Sequence, residues 1–277
     1  MIEFNRLQDE FPGTNGLSIC VVGLGGAGSN VLDRIALEGM QEAELICANT
    51  DIRALSNSVA NTKVQLGKKL TQGLGCGGDP ELGLEAAQAS EDELRKLLRG
   101  RVMVFVCVGL GGGTGSGAAP LIAKIAREEG AFVVGFATMP FSFEGRRRLR
   151  QAEASLEELQ EVCNALVTFE NDRMGSLVLP KEGIQQAFAG ADKLISQSVR
   201  SVTSLVSQPG LIRIGMDDLI TALRNRDSRC LFGYGHARAK TAPRRRSPRR
   251  SSPRCSTRAR SSRTPATSSS TSAAANR

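Results

Sequence analysis

Residues 109–117 read Gly-Leu-Gly-Gly-Gly-Thr-Gly-Ser-Gly and directly follow the apolar run Val-Met-Val-Phe-Val-Cys-Val at 102–108. The run is short, rich in β-branched residues and ends at glycine, which predicts a buried strand feeding a loop. Residues 118–129 then predict a helix with Pro120 in its first turn. Six glycines in nine residues are more than a turn needs, and each costs conformational entropy. What they offer is backbone N–H groups with no side chains in front of them, next to the partial positive charge of a helix N-terminus. Thr114 and Ser116 add hydroxyl donors. Such a loop suits phosphate.

A second glycine loop, residues 23–28, follows a strand predicted at 17–22 and precedes a helix at 30–37. Further strands are predicted at 45–48, 132–137 and 165–169, and helices at 86–98 and 156–162. Alternation of this kind predicts a mostly parallel α/β sheet with helices on both faces. Residues 182–207 then carry Ile184, Phe188, Ala191, Ile195, Val202 and Val206 at helical spacing, a long helix of about 38 Å. Pro209-Gly210 stops it, and residues 219–226 read as one more helix.

The 277 residues suffice for one or two domains with a substantial core. The formal charge of +8 is unevenly placed. Residues 236–277 hold twelve Lys/Arg and no Asp/Glu, which leaves 24 basic against 28 acidic residues before them. The folded part is therefore mildly acidic, and its charge gives no case for nucleic-acid binding. Thr241 to Arg277 contains no Leu, Ile, Val, Met or Phe, too little apolar surface to offset ordering, so the tail is expected to be disordered. Seven cysteines without a Cys-x-x-Cys pair suit a reducing cytoplasm. One histidine and no ligand cluster predict no metal site, and no apolar run is long enough to span a membrane. The polar, acidic first ten residues do not read as a signal peptide.

Gly23-x-Gly25-x-x-Gly28 alone fits a dinucleotide fingerprint, with Glu44 near the spacing of a ribose-binding acid. An NAD-dependent oxidoreductase is thus one reading. Two anion cradles on neighbouring strands favour a triphosphate instead, and the chain has no Gly-x-x-x-x-Gly-Lys-Ser/Thr P-loop.

Over about residues 17–235 the chain resembles the bacterial tubulin-like cell-division GTPases of the tubulin/FtsZ family. The loop 109–117 is similar to the family signature Gly-Gly-Gly-Thr-Gly-Ser/Thr-Gly, and the other motifs come in family order. The resemblance implies a Rossmann-like GTPase domain with a long central helix. It assigns nucleotide contacts to Gly25, Gly26 and Asn30 in the first loop, and to Asn49 and Asp51 in Asn49-Thr50-Asp51. Gly75, Cys76 and Gly77 would lie near the γ-phosphate, and Gly111, Gly112, Gly113, Thr114, Gly115, Ser116 and Gly117 around the phosphates. Glu144 would meet the ribose and Arg148 the nucleotide, while Asn171 and Asp192 would read guanine with Phe188 against the base. The cofactor implied is GTP/GDP with Mg2+. The partners implied are further copies joined head to tail and other division proteins, in the cytoplasm at the division site, without direct membrane insertion.

Two departures qualify the resemblance. The family's catalytic loop, Gly-Leu-Ile-Asn-x-Asp-x-x-Asp, inserts into the next subunit. Here it reads Gly210-Leu-Ile-Arg-Ile-Gly-Met-Asp-Asp218, with Arg213 and Gly215 replacing the Asn and the first Asp. Asp218 is the catalytic residue that remains, and loss of a water-orienting carboxylate predicts turnover reduced about a hundredfold or more. The alternative is a GTP-binding filament or regulatory subunit with little hydrolysis. Second, where the family continues into a smaller α/β domain, this chain turns into the Arg/Ser/Pro-rich tail. Its composition reads either as an altered reading frame of a GC-rich gene or as a basic linker for a polyanion. The expected organisation is an extension at 1–16, a GTP-binding domain at 17–181, the central helix at 182–208, a remnant of the second domain at 209–235, and the tail at 236–277.

Overall fold

The computed structural model describes residues 18–40, 42–173, 184–207, 221, 231–232 and 255–256. Six parallel strands form the sheet: β1 (Ile19–Leu24), β2 (Glu44–Asn49), β3 (Thr62–Gln65), β4 (Met103–Gly109), β5 (Phe132–Met139) and β6 (Ala165–Glu170). Their order is β3-β2-β1-β4-β5-β6, with β1 paired to β2 on one side and β4 on the other. Two short strands, β7 (Leu231–Phe232) and β8 (Cys255–Ser256), extend the sheet antiparallel beyond β6. Cys255 and Ser256 belong to the tail expected to be disordered, yet Ser256 pairs with Thr168 of β6 and Cys255 with Phe232 of β7. The rest of that tail lies outside the described residues.

Side chains of the central strands alternate between two cores. Cys20, Val22, Val104, Val106 and Val108 pack with Ala118, Ile122 and Leu159 on one face. Ile19, Val21, Met103, Phe105 and Cys107 pack with Leu32, Ile35, Ile195 and Val199 on the other. Both faces of β1 and β4 are dry, which is why these strands read as continuous apolar runs. The first face is covered by α4 (Pro80–Gln88), α5 (Glu91–Leu98), α6 (Gly113–Glu128) and α7 (Arg146–Val162). The second carries α1 (Gly25–Leu37) and α8 (Ile184–Ser207).

The helices differ from the sequence expectation in four places, one being α7, expected at 156–162 and opening already at Arg146. The single helix expected at 86–98 is two helices, since Asp79 caps α4 through Glu81 N (3.0 Å) with Pro80 at its start. α5 then opens afresh with Glu91, Asp92 and Glu93 on its N-terminal dipole. Residues 52–71, where the sequence predicts no element, form α2 (Ile52–Asn57), β3 and α3 (Lys68–Thr71). Both glycine loops are largely helix, with α1 starting at Gly25 and α6 at Gly113.

Pro120 consequently lies inside α6 and not in its first turn. A proline there has no N–H for the carbonyl four residues back. That carbonyl, Ser116 O, instead accepts from Ser155 Oγ on α7 at 2.8 Å. The proline is thus tolerated because a neighbouring helix satisfies the buried oxygen it releases.

Candidate functional site

The chain runs outward from β1 to β3 on one side of the sheet and from β4 to β6 on the other. The switch point of this topology lies between β1 and β4, and ligands of open α/β sheets bind at the carboxyl end of such a crevice. α1 and α6 start there. Neither has a side-chain cap, since Leu24 and Gly112 occupy the cap positions. Their first N–H groups are therefore available to an anion. The two helix starts adjoin, because a Cβ at Gly25 would lie 3.4 Å from Gly115 N and 3.6 Å from Thr114 Cβ.

The glycines divide into two kinds, which sequence alone did not separate. Gly26 and Gly112 face open space, with nothing within 4 Å of a Cβ. Gly113, Gly115 and Gly117 instead abut backbone. A Cβ there would meet Asp79 O at 2.7 Å, Gly109 O at 2.5 Å and Pro80 O at 2.0 Å respectively. These three let α6 pack onto α4 and the end of β4, while the open pair leaves room for a ligand. Gly111 adopts φ +90° and donates its N–H to Ser116 Oγ at 2.8 Å. The Ser116 hydroxyl oxygen, buried, thus braces its own loop.

Three loops meet at Thr50. Its hydroxyl lies 2.6 Å from Thr114 Oγ1, and Cys76 Sγ donates to it at 3.4 Å. Asn49 is buried and accepts from Asp51 N at 3.2 Å. Asp51 caps α2 through Arg53 N (2.8 Å) and Ala54 N (3.3 Å). Gly75 stands against Thr50 and Asp51, and Gly77 faces open space. On the other side of loop 109–117, Arg148 borders Gly111 with its own backbone. Glu144 accepts from Arg148 Nη1 at 2.6 Å and from Phe141 N at 2.9 Å.

Further along the same carboxyl edge, Asn171 follows β6. It is buried, and its Oδ1 has no hydrogen-bond partner among the described residues. An orphaned buried acceptor calls for a donor that is absent here. Phe188 on α8 is 39% exposed and packs edge-on against Phe141, with ring centroids 4.9 Å apart. Asp192, one turn further on, has its carboxyl pKa raised from 3.8 to about 6 by burial, with the charge of Arg34 pulling the other way. Arg34 holds α1 to this part of α8 by donating Nη1 to Ala189 O at 3.3 Å. Asn30 is exposed on α1, one turn before Arg34.

The described expected contacts thus gather along one edge of the sheet. Sequence reasoning gave no role to Thr50 and left out Arg34 altogether. Thr50 was legible only as part of its motif, and Arg34 carried no signal, because its partner lies 155 positions away. Asp218, with Arg213 and Gly215, falls outside the described residues. Glu44, the ribose acid of the dinucleotide reading, is at the wrong end. It starts β2 at the amino edge, where Arg101 and Thr62 bind it. Among the described residues no group of three or more His, Cys, Asp or Glu side chains is placed to hold a metal ion. No described helix is long and apolar enough to cross a membrane.

The model of the tubulin/FtsZ family GTPase domain matches residues 18–178. Among solved structures, the chain is similar to an empty FtsZ dimer from M. jannaschii, at 37% identity and a TM-score of 0.73. That alignment covers 79% of this chain and 63% of the other. It is also similar to CetZ2 from Haloferax volcanii, a GTPγS-bound protofilament, at 26% identity and a TM-score of 0.66 over 75% and 63% of the two chains. The chain therefore spans less than two thirds of the length of either. The match over more than half of the sequence, on a sheet whose two uncapped helix starts meet at the switch point, shows that this chain belongs to the tubulin/FtsZ family.

Proposed function

We propose that this chain binds GTP in the crevice between β1 and β4 and assembles head to tail into a division-site filament. The observation that carries the reading is the pair of adjoining helix starts with open glycines, Gly26 and Gly112, at their lips. A triphosphate fits this cradle because two sets of N–H donors and two N-terminal dipoles converge on it. The orphaned Asn171 Oδ1 and the Asp192 carboxylate supply acceptors at the far end. An ionised carboxylate takes both the N1–H and the exocyclic amine of guanine, a donor pair that adenine lacks. Phe188 provides an exposed ring for the base, and Glu144 with Arg148 lies beside the loop for the ribose and nucleotide. Mg2+ would enter with the phosphates.

Hydrolysis would be phosphoryl transfer to water, completed when a neighbouring copy brings Asp218 to the nucleotide. With Arg213 and Gly215 in that loop, turnover is slow. The same departures favour, as a second reading, a GTP-binding filament subunit that hardly hydrolyses. Titration calorimetry of the full-length chain with GTP, ATP and NAD tests the binding reading, which requires selective GTP binding. Sedimentation with GTP and with GDP tests assembly, and phosphate release in the assembled state separates the two readings.

A further inference from the structure

The hydroxyl of Thr50 is fully buried where three loops meet, two of which are already bridged antiparallel between Asp51 and Leu74. Cys76 Sγ–H is a donor to it at 3.4 Å. A threonine hydroxyl has one hydrogen to give. With Cys76 donating in, the acceptor that the structure places within reach of that hydrogen is Thr114 Oγ1 at 2.6 Å, a pair in which either hydroxyl can be the donor. Thr114 then receives from Thr50, and its own hydrogen is left for an acceptor outside the triad. Among the described residues the Thr114 hydroxyl has no other hydrogen-bond partner, and it lies in the first turn of α6 next to Gly112 and Gly113. A phosphate oxygen accepts only. The order Cys76 to Thr50 to Thr114 therefore presents the first turn of α6 with one more fixed donor beside its N–H groups.

We propose that Thr50 is a positioning residue for the phosphate cradle, accepting from Cys76 and donating to Thr114 so that loop 75–77 and the start of α6 hold one register and Thr114 donates outward. The inference rests on the reading of this crevice as a nucleotide site. Thr50 does not itself touch the ligand, and its effect passes through Thr114 and the two loops. Its backbone carbonyl accepts from Thr71 Oγ1 at 3.4 Å, a contact that a side-chain change leaves in place.

The test is calorimetric titration of full-length variants with GTP, GDP and guanosine, alongside their thermal midpoints. Thr50→Val keeps the shape and removes the hydroxyl, so GTP affinity falls about tenfold, as expected for loss of a buried hydrogen-bonded link. Guanosine binding stays within about twofold of wild type, and Thr50→Ser restores GTP binding. Cys76→Ala loses a smaller factor, about threefold, again only for the phosphorylated ligands, and Cys76→Ser recovers it. Thr50→Val that binds GTP like wild type overturns the proposal. Equal losses for GTP and guanosine also overturn it, since they mark a general defect. If Thr50→Val does not unfold cooperatively, Cys76→Ala decides, and an unchanged GTP-to-guanosine ratio overturns the proposal. A wild-type chain that binds no guanine nucleotide removes the functional reading and this inference together. Normal wild-type binding with insensitive variants removes only the inference.

Discussion

Asp192 carries two opposed influences on one proton, because burial favours the neutral acid and Arg34 favours the carboxylate. The folded pKa of about 6 lies above the usual carboxylate value. Its stabilising contribution is thus complete at acid pH and is lost as pH rises through about 6. Guanine recognition has the opposite sign, since it needs the ionised form. GTP affinity should therefore fall as pH drops through about 6, and Asp192→Asn should flatten that profile and lower affinity about a hundredfold at neutral pH. Without ligand, Asp192→Asn should raise stability at pH 7.5 by about 2 kcal/mol, read from chemical denaturation. A flat wild-type profile between about pH 5 and 8 would remove Asp192 from the base site. The glycines give a second contrast at this scale. Gly26→Ala and Gly112→Ala enter open space, so both should fold with stability within about 0.5 kcal/mol of wild type or slightly better, yet bind GTP more weakly. Gly117→Ala drives a methyl to 2.0 Å from Pro80 O and should cost about 3 kcal/mol. Thermal unfolding beside GTP titration separates the two classes. The sequence showed the glycine count, but which glycines face a ligand is decided by what α4 places against α6.

At the level of elements, the strands that announced themselves were those buried on both faces. β1, β4 and β5 are runs of apolar side chains because helices cover both sides of them. β3 escaped notice because Thr62–Gln65 buries one residue fully, and α2 and α3, at six and four residues, are too short for a helical period to show. The starts of α1 and α6 escaped for a different reason. Glycine is a poor helix former in isolation, and here packing of bare backbone on backbone outweighs that preference. The base end of the proposed site is suggested only by the order of motifs, since the contact of α1 with α8 joins residues far apart in sequence. The proline inside α6 makes the dependence of one element on another measurable. Ser155→Ala leaves Ser116 O buried without a donor and should cost about 1–2 kcal/mol. In a Pro120→Ala background the restored N–H can serve that carbonyl, so the same Ser155→Ala change should cost less than half as much. Equal costs in both backgrounds, measured by urea denaturation, would mean that Ser155 supports something other than the carbonyl freed by the proline.

For the whole molecule, the decisive property is how charge is segregated. Twelve cationic side chains without an acid lie in residues 236–277, and the remaining 235 residues are net acidic. A polyanion would therefore be attracted by one part of the chain, and on the proposed reading a mononucleotide is held by another through oriented backbone dipoles. The two modes respond differently to salt. Binding through many cationic side chains releases counterions and falls steeply with ionic strength. Binding in a recessed cradle of N–H groups is screened much less. Affinity for duplex DNA or for anionic vesicles should thus drop about a thousandfold from about 50 to about 200 mM salt. GTP affinity should change by no more than about threefold over the same range. Replacing the twelve tail Lys/Arg by serine should abolish the polyanion binding and leave GTP affinity where it was. Fluorescence anisotropy with labelled DNA, run beside GTP calorimetry on the same samples, reads both. A steep salt dependence for GTP, removed by the serine tail, would mean that the tail closes over the crevice and supplies cations to the phosphates, and the division of labour between tail and cradle would then be wrong.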